Sequence, residues 1–249
     1  MNRFWRFLTI FGIGAAAATA CADTPSFDQI PDRPEDFGYK VNWFAVRASD
    51  LNSVVTALEI GSGAPANWAS GMAAAYGRTG GTNKGPWIFL SPPVNGWIFV
   101  VGSSLPYPVM HTPDRHGGIG QKFDTILSRL TDHFSEVQFF GSYRVVGFVA
   151  WVRAQRDLPL RVFSFGDGEV YTNIGNQTLE EARLKFLDLS GLSPRAASER
   201  LFSVEGKLPD ETNVLQLAAL WSLDPGKLSE IGHQPSLGLV VQLPKALAQ

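Results

Sequence analysis

Cysteine is almost missing from this 249-residue sequence, in which Cys21 is the only one. A lone cysteine forms no intrachain disulfide. Past residue 21 the chain has no thiol nucleophile, no thiolate zinc site and no ligand set for an iron–sulfur cluster. Histidine is also scarce, with four in the chain, and 21 Lys+Arg stand against 23 Asp+Glu. The cations are scattered among the acids, which excludes the basic stripe that a nucleic-acid binder needs along a phosphate backbone. No Gly-x-Ser-x-Gly elbow occurs. The glycine-rich stretch from Arg78 to Gly85 lacks both the Gly-Lys-Ser/Thr ending and the following helix of a phosphate cradle. Neither a nucleotide nor any other cofactor is expected.

Cys21 has an informative position. Arg3 and Arg6 precede an apolar run from Phe7 to Ala17, and the small residues Ala18-Thr19-Ala20 lead directly into the cysteine. This is the order of an export signal, and its apolar stretch falls short of the ~20 residues of a bilayer span. Residues 1–21 resemble a bacterial lipoprotein signal peptide. The resemblance implies cleavage before Cys21, lipid attachment there through fatty acyl chains such as palmitate, and a membrane-anchored protein of the cell envelope facing the periplasm. Ala22 in place of aspartate would, by the same analogy, favour the outer membrane over the inner. Ala18 departs from the pattern, where leucine is usual, and Ala18-Thr19-Ala20 equally fits ordinary secretion into a soluble or periplasmic form. Loss of Arg3 and Arg6 would leave a net charge of about −4.

Residues 21–39 are rich in proline, aspartate and serine, with little periodicity, and are expected to be a flexible tether. From residue 40 to 175 the pattern is that of an α+β sheet domain. Val41–Arg47 reads as a strand, and Leu51, Val54, Val55 and Leu58 place a helix behind a cap at Ser49 or Asp50. Ala66 to Tyr76 reads as a second helix that Gly71 weakens. Trp87 to Gly102 is a hairpin turning at Asn95-Gly96, and Gln121 to Phe134 is an amphipathic helix. A three-strand meander follows, with turns at Gly141-Ser142 and Gln155–Pro159, and then a turn at Gly166-Asp167-Gly168. This order predicts a mainly antiparallel sheet with helices on one face, like a split β-α-β unit extended by one or two strands. Residues 176–249 read as a helical annex, capped at Thr178, Ser193, Asp210 and Asp224, with Leu237 to Leu243 as a last strand.

Three groups of residues are candidates for chemistry. His111, Asp114 and His116 share one loop, where imidazoles and a carboxylate are the ordinary ligand types for a divalent metal, although the spacing matches no metal motif and also suits a solvated connector. A Ser103 or Ser104 with His133 and a neighbouring acid would form a hydrolase triad. On a regular strand from Tyr143 to Arg153, Tyr143, Trp151 and Arg153 share one face. Aromatics with arginine are the usual anchors of a protein interface, but large aromatics also dominate cores.

The expected function is therefore a non-enzymatic envelope lipoprotein that binds another protein, with an immunity-type inhibitor of an imported toxin as the specific version. The alternatives are a hydrolase or metal-dependent enzyme using the His111–His116 loop, and a structural or glycan-binding envelope component.

Overall fold

The structure is a computed structural model, and it describes residues 26–79, 85–109, 117–156, 158, 160–205 and 208–249. Among the described residues nine strands form one sheet: β1 Val41–Arg47, β2 Ala64–Ala66, β3 Trp87–Leu90, β4 Trp97–Gly102, β5 Glu136–Tyr143, β6 Phe148–Gln155, β7 Arg161–Gly166, β8 Glu169–Ile174 and β9 Gly238–Gln242. Their order is β2-β9-β3-β4-β1-β5-β6-β7-β8, and every pairing is antiparallel. The helices are α1 Leu51–Leu58, α2 Trp68–Ala75, α3 Ile119–His133, α4 Leu179–Arg183, α5 Pro194–Phe202 and α6 Glu211–Trp221, with 3-10 turns at Arg144–Val146 and Pro225–Glu230.

The central order β3-β4-β1-β5 is the split β-α-β arrangement expected from sequence. β1 and β3 run the same way with β4 between them, and β4 and β5 run the same way with β1 between them. The sheet extends further than expected, by β6, β7 and β8 on one side and by β9 and β2 on the other. The chain around the Asn95-Gly96 turn follows the sequence reading: both residues have positive φ, 49° and 82°, as a tight hairpin requires.

The α+β class holds, but the helices do not keep to one face. α1 and α3 share a face and bury Val54, Leu58, Phe123, Ile126 and Leu130 against Phe44 and Val46 of β1. The opposite face carries α2 and the annex, whose Trp68, Met72, Leu201, Val214 and Leu217 pack on Trp43, Phe99, Phe140 and Phe163. The strands account for this. Six consecutive residues of β1 are buried, as are all six of β4, and such unbroken apolar runs suit a sheet covered on both sides. The annex is thus half of the cover of a shared core. Its final strand, β9, lies between β2 and β3 and not at the outer edge.

The expected tether is corrected for the described part, residues 26–39. Phe27 and Phe37 are buried in the annex-side core. Asp32 accepts from the backbone N–H groups of Trp68 and Ala69 at 2.6 and 3.0 Å, which satisfies the start of α2 from a distant part of the chain. Asp36 accepts from the Ser229 N–H and hydroxyl at 2.8 and 3.0 Å, and the Phe37 N–H donates to Pro225 O at 2.9 Å. Two aromatic anchors and two capping aspartates make this stretch a strap across the domain. Cys21 and the export signal lie outside the described residues.

Both sheet edges are blunted. β2 is three residues long with a central proline, and the Val170 N–H of β8 donates to Ser198 Oγ of α5 at 2.8 Å. Gly71, which weakens α2 as a helix former, has a packing reason, because a Cβ there would overlap the Phe89 ring. Gly71→Ala is therefore expected to destabilise by about 1–3 kcal/mol through overpacking, against the ~1 kcal/mol gain that helix propensity alone would give. Urea unfolding decides the sign, and a gain in stability would show that α2 does not need this close approach.

Candidate functional site

The sequence candidates separate. His111, Asp114 and His116 lie outside the described residues, and among the described residues no three His, Cys, Asp or Glu side chains gather as a metal site would. Among the same residues no helix is long and apolar enough to cross a membrane. The serine–histidine pairing is not brought together. Ser103 follows β4 at the Asn42 end of β1, whereas His133 ends α3 just before β5, which pairs with β1 at Val46. Four residues of strand, about 13 Å, separate those two ends.

Tyr143, Trp151 and Arg153 do not form one face. The strand expected to run on from Tyr143 is broken: β5 continues through Gly141-Ser142, and the turn falls at Arg144–Val146 with Gly147 at φ 61°. Gly141 lies inside β5, paired with both β1 and β6, and is glycine where a Cβ would collide with Asn42 Oδ1. Across the ladder Tyr143 pairs with Phe148 and Phe140 with Trp151, so Tyr143 points to the α1–α3 side and Trp151 to the annex side. Trp151 is buried, stacked on Phe163 with centroids 4.4 Å apart and tilted against Phe186 at 5.2 Å. Arg153 shares that covered side, 3.5 Å from carboxylate oxygens of both Glu136 and Glu180, with its guanidinium 5.5 Å over Trp221. These two residues belong to the packing under the annex and form no open binding face.

Beside them is a polar cluster that the sequence reading passed over. Arg161 and Glu181 are 4% and 1% exposed and meet at 3.0 Å. Glu181 also accepts from Trp151 Nε1 at 2.8 Å and from the Thr178 N–H at 2.7 Å, the latter as half of the α4 capping box. Arg161 donates to Asn173 Oδ1 at 2.8 Å, and Asn173 Nδ2 reaches the carbonyls of Leu189 and Leu192 at 2.8 and 2.9 Å. Every element here is satisfied, so the cluster fixes the annex to β6, β7 and β8 and leaves no group free to react. Arg161→Met strands a buried carboxylate and is expected to cost about 3–5 kcal/mol. The double variant Arg161→Met/Glu181→Leu should cost less than the sum of the two single variants in chemical unfolding. Full additivity would mean the pair is not coupled.

The open site lies at the other end of the sheet. A cavity of about 260 Å³ is bounded by Lys40, Asn42 and Ser103, by Tyr107 and Tyr143, and by Phe148, Asp167 and Tyr171. Tyr171 donates its phenol proton to Asp167 Oδ2 at 2.9 Å. Burial raises the phenol's pKa well above the usual tyrosine value, and the Asp167 hydrogen bond and charge add to the rise. The Tyr107 ring lies 4.6 Å from Phe148 and 6.4 Å from Tyr171, and its phenol is likewise shifted up by burial and by Asp167. Gly166 makes room for this arrangement, since a Cβ there would stand 2.8 Å from the Tyr171 oxygen. Grooves of about 430 and 440 Å³ along α3 and α6 are larger, but each has a single aromatic side chain in its lining.

Beside the cavity the β5–β6 tip projects into solvent. Tyr143 is 45% exposed, Val145 75% and Val146 45%. The tip is braced from below, because the Arg144 N–H donates to Glu211 Oε1 at the start of α6 and the Asp167 N–H donates to Val146 O, each at 3.2 Å. Of this site, the sequence singles out Tyr143, as part of a binding face, and Ser103, as a triad serine. Asp167 was legible as a turn residue, and Tyr107 lay in an unassigned loop.

In comparisons with protein-family models, curated proteins and solved structures, nothing matches the chain.

Proposed function

We propose that the protein is a non-enzymatic binding domain of the bacterial cell envelope, held at the membrane through Cys21, and that it recognises another protein through its β5–β6 end. An immunity-type inhibitor that occludes an imported toxin is the specific form of this reading. The observation that carries it is the braced tip, where Tyr143, Val145 and Val146 stand exposed together. In a protein whose central strands are sealed on both faces, three exposed apolar residues within four positions on a supported turn are an interface in waiting. Tyr143 and Arg144 are of the types that supply most binding energy in protein complexes, and Lys40 lies alongside in the cavity rim. The envelope location rests on the signal-like segment ending at Cys21.

The test is photo-crosslinking in cells, with a photoreactive residue at position 145 or, at the opposite end of the sheet, at the exposed Leu179. Position 145 should yield a discrete protein adduct in the membrane fraction and position 179 none. Val146→Asp should abolish the adduct, and Cys21→Ser should move the protein to the soluble fraction. Adducts that are equal from both positions and indifferent to Val146→Asp would refute docking at the tip. A Cys21→Ser protein that stays in the membrane fraction would refute the lipid anchor.

A further inference from the structure

The sheet-end cavity has a chemistry different from that of the tip beside it, and we propose that it is a saccharide site holding a single neutral pyranose ring. A pyranose has an apolar C–H face and a rim of hydroxyls that both donate and accept. The cavity offers the complement of each. Tyr107, tilted against Phe148, and the half-exposed Tyr143 supply ring surface for the apolar face. On the polar side Lys40 donates and the Asp167 carboxylate accepts, while the Ser103 hydroxyl does both.

The same pair of charges selects against other ligands. A phosphate or carboxylate entering the cavity meets Asp167, and a cation meets Lys40, so a charged group gains one partner only by facing a like charge. A neutral polyol uses both. The volume, about 260 Å³, falls just below the roughly 300–1,000 Å³ of pockets that take drug-sized molecules, which suits one ring and not a chain of them.

The site is held in shape by groups already engaged. Asn42 Nδ2 donates to Leu105 O at 2.7 Å and Ser142 Oγ to Gly38 O at 3.0 Å, which ties the floor to the loops on either side. Lys40 and Asp167 both sit at positive φ, 56° and 48°, a backbone region uncommon for residues other than glycine. For Asp167 the turn with Gly168 accounts for it, and its result is a carboxylate aimed at Tyr171 and the cavity. The ring is either a free monosaccharide or the terminal unit of a glycan or cell-wall polymer.

Saturation-transfer NMR on the purified protein tests this. The neutral probes are methyl β-D-glucopyranoside and methyl N-acetyl-β-D-glucosaminide, the charged ones are glucose 6-phosphate and glucosamine, and a soluble peptidoglycan fragment separates the sources. At least one neutral glycoside should receive saturation at millimolar concentrations, most strongly on its ring C–H protons. A peptidoglycan fragment that competes would assign the ring to a polymer end, and one that does not would assign it to a free sugar. Asp167→Asn preserves the turn and the acceptor for Tyr171 while removing the charge, and it should weaken binding by about tenfold. Tyr143→Ala should weaken it as well. Val145→Asp, outside the cavity, should leave it unchanged while removing the adduct from a photoreactive residue placed at the exposed position 144, so the two readings fail separately. Absence of transfer to both neutral glycosides, tighter binding of a charged probe, or affinity unchanged by both Asp167→Asn and Tyr143→Ala would overturn the proposal.

Discussion

Burial of the sheet on both faces is the constraint on which the rest of this structure depends. Trp43 and Phe44, consecutive on the central strand, point to opposite sides, and each finds an aromatic partner. Trp43 stacks on Phe140 at 5.3 Å toward the annex, and Phe44 on Phe123 at 5.7 Å toward α3. A sheet built this way has no open face for recognition. The short proline-bearing β2 and the α5-covered β8 give up the edges as well. What is left for function is the outer surface of the helices and the two ends of the strands, and it is at one strand end that exposed apolar groups and a tyrosine-lined cavity come together.

The annex is an integral part of that architecture, and the way it is fixed is chemical as well as apolar. The Arg161–Glu181 pair takes two charges out of water. A pair of this kind adds little over a well-packed apolar substitute, yet removal of one member is costly. In the observed placement of the annex Glu181 satisfies α4, Trp151 and Arg161 together. The same placement brings Glu211, at the head of α6, to the backbone of Arg144. The geometry of the β5–β6 tip is therefore set partly from the far side of the sheet.

Much of the fold was legible in the sequence because local rules and tertiary structure agree. Thr178, Ser193 and Asp210 cap the helices their spacing predicts, Asp50 and not Ser49 caps α1, and Asn95-Gly96 turns the predicted hairpin. The departures come where long-range packing decides. Gly141 reads as a turn residue but lies in a strand, paired with β1 and β6, and it is glycine because Asn42, a hundred positions away, occupies the space a side chain would need. That shift carries Tyr143 to the opposite face from Trp151. Residues 26–39 read as a tether because proline and aspartate dominate them, yet Phe27 and Phe37 have a core to enter. The cavity was illegible for the same reason, since residues 40, 103, 107, 143, 167 and 171 meet only through strand order.

The central claim is that recognition occurs at the β5–β6 end of the sheet and not on the helical surfaces. Hydroxyl-radical footprinting of the protein in isolated envelopes, compared with the purified protein, tests it most directly. The account predicts protection concentrated at Tyr143, Val145 and Val146, with Leu179 on α4 and Phe202 on α5, both exposed, reacting equally in the two samples. Protection of Leu179 or Phe202 with an unprotected tip would place the interface on the annex and contradict the account.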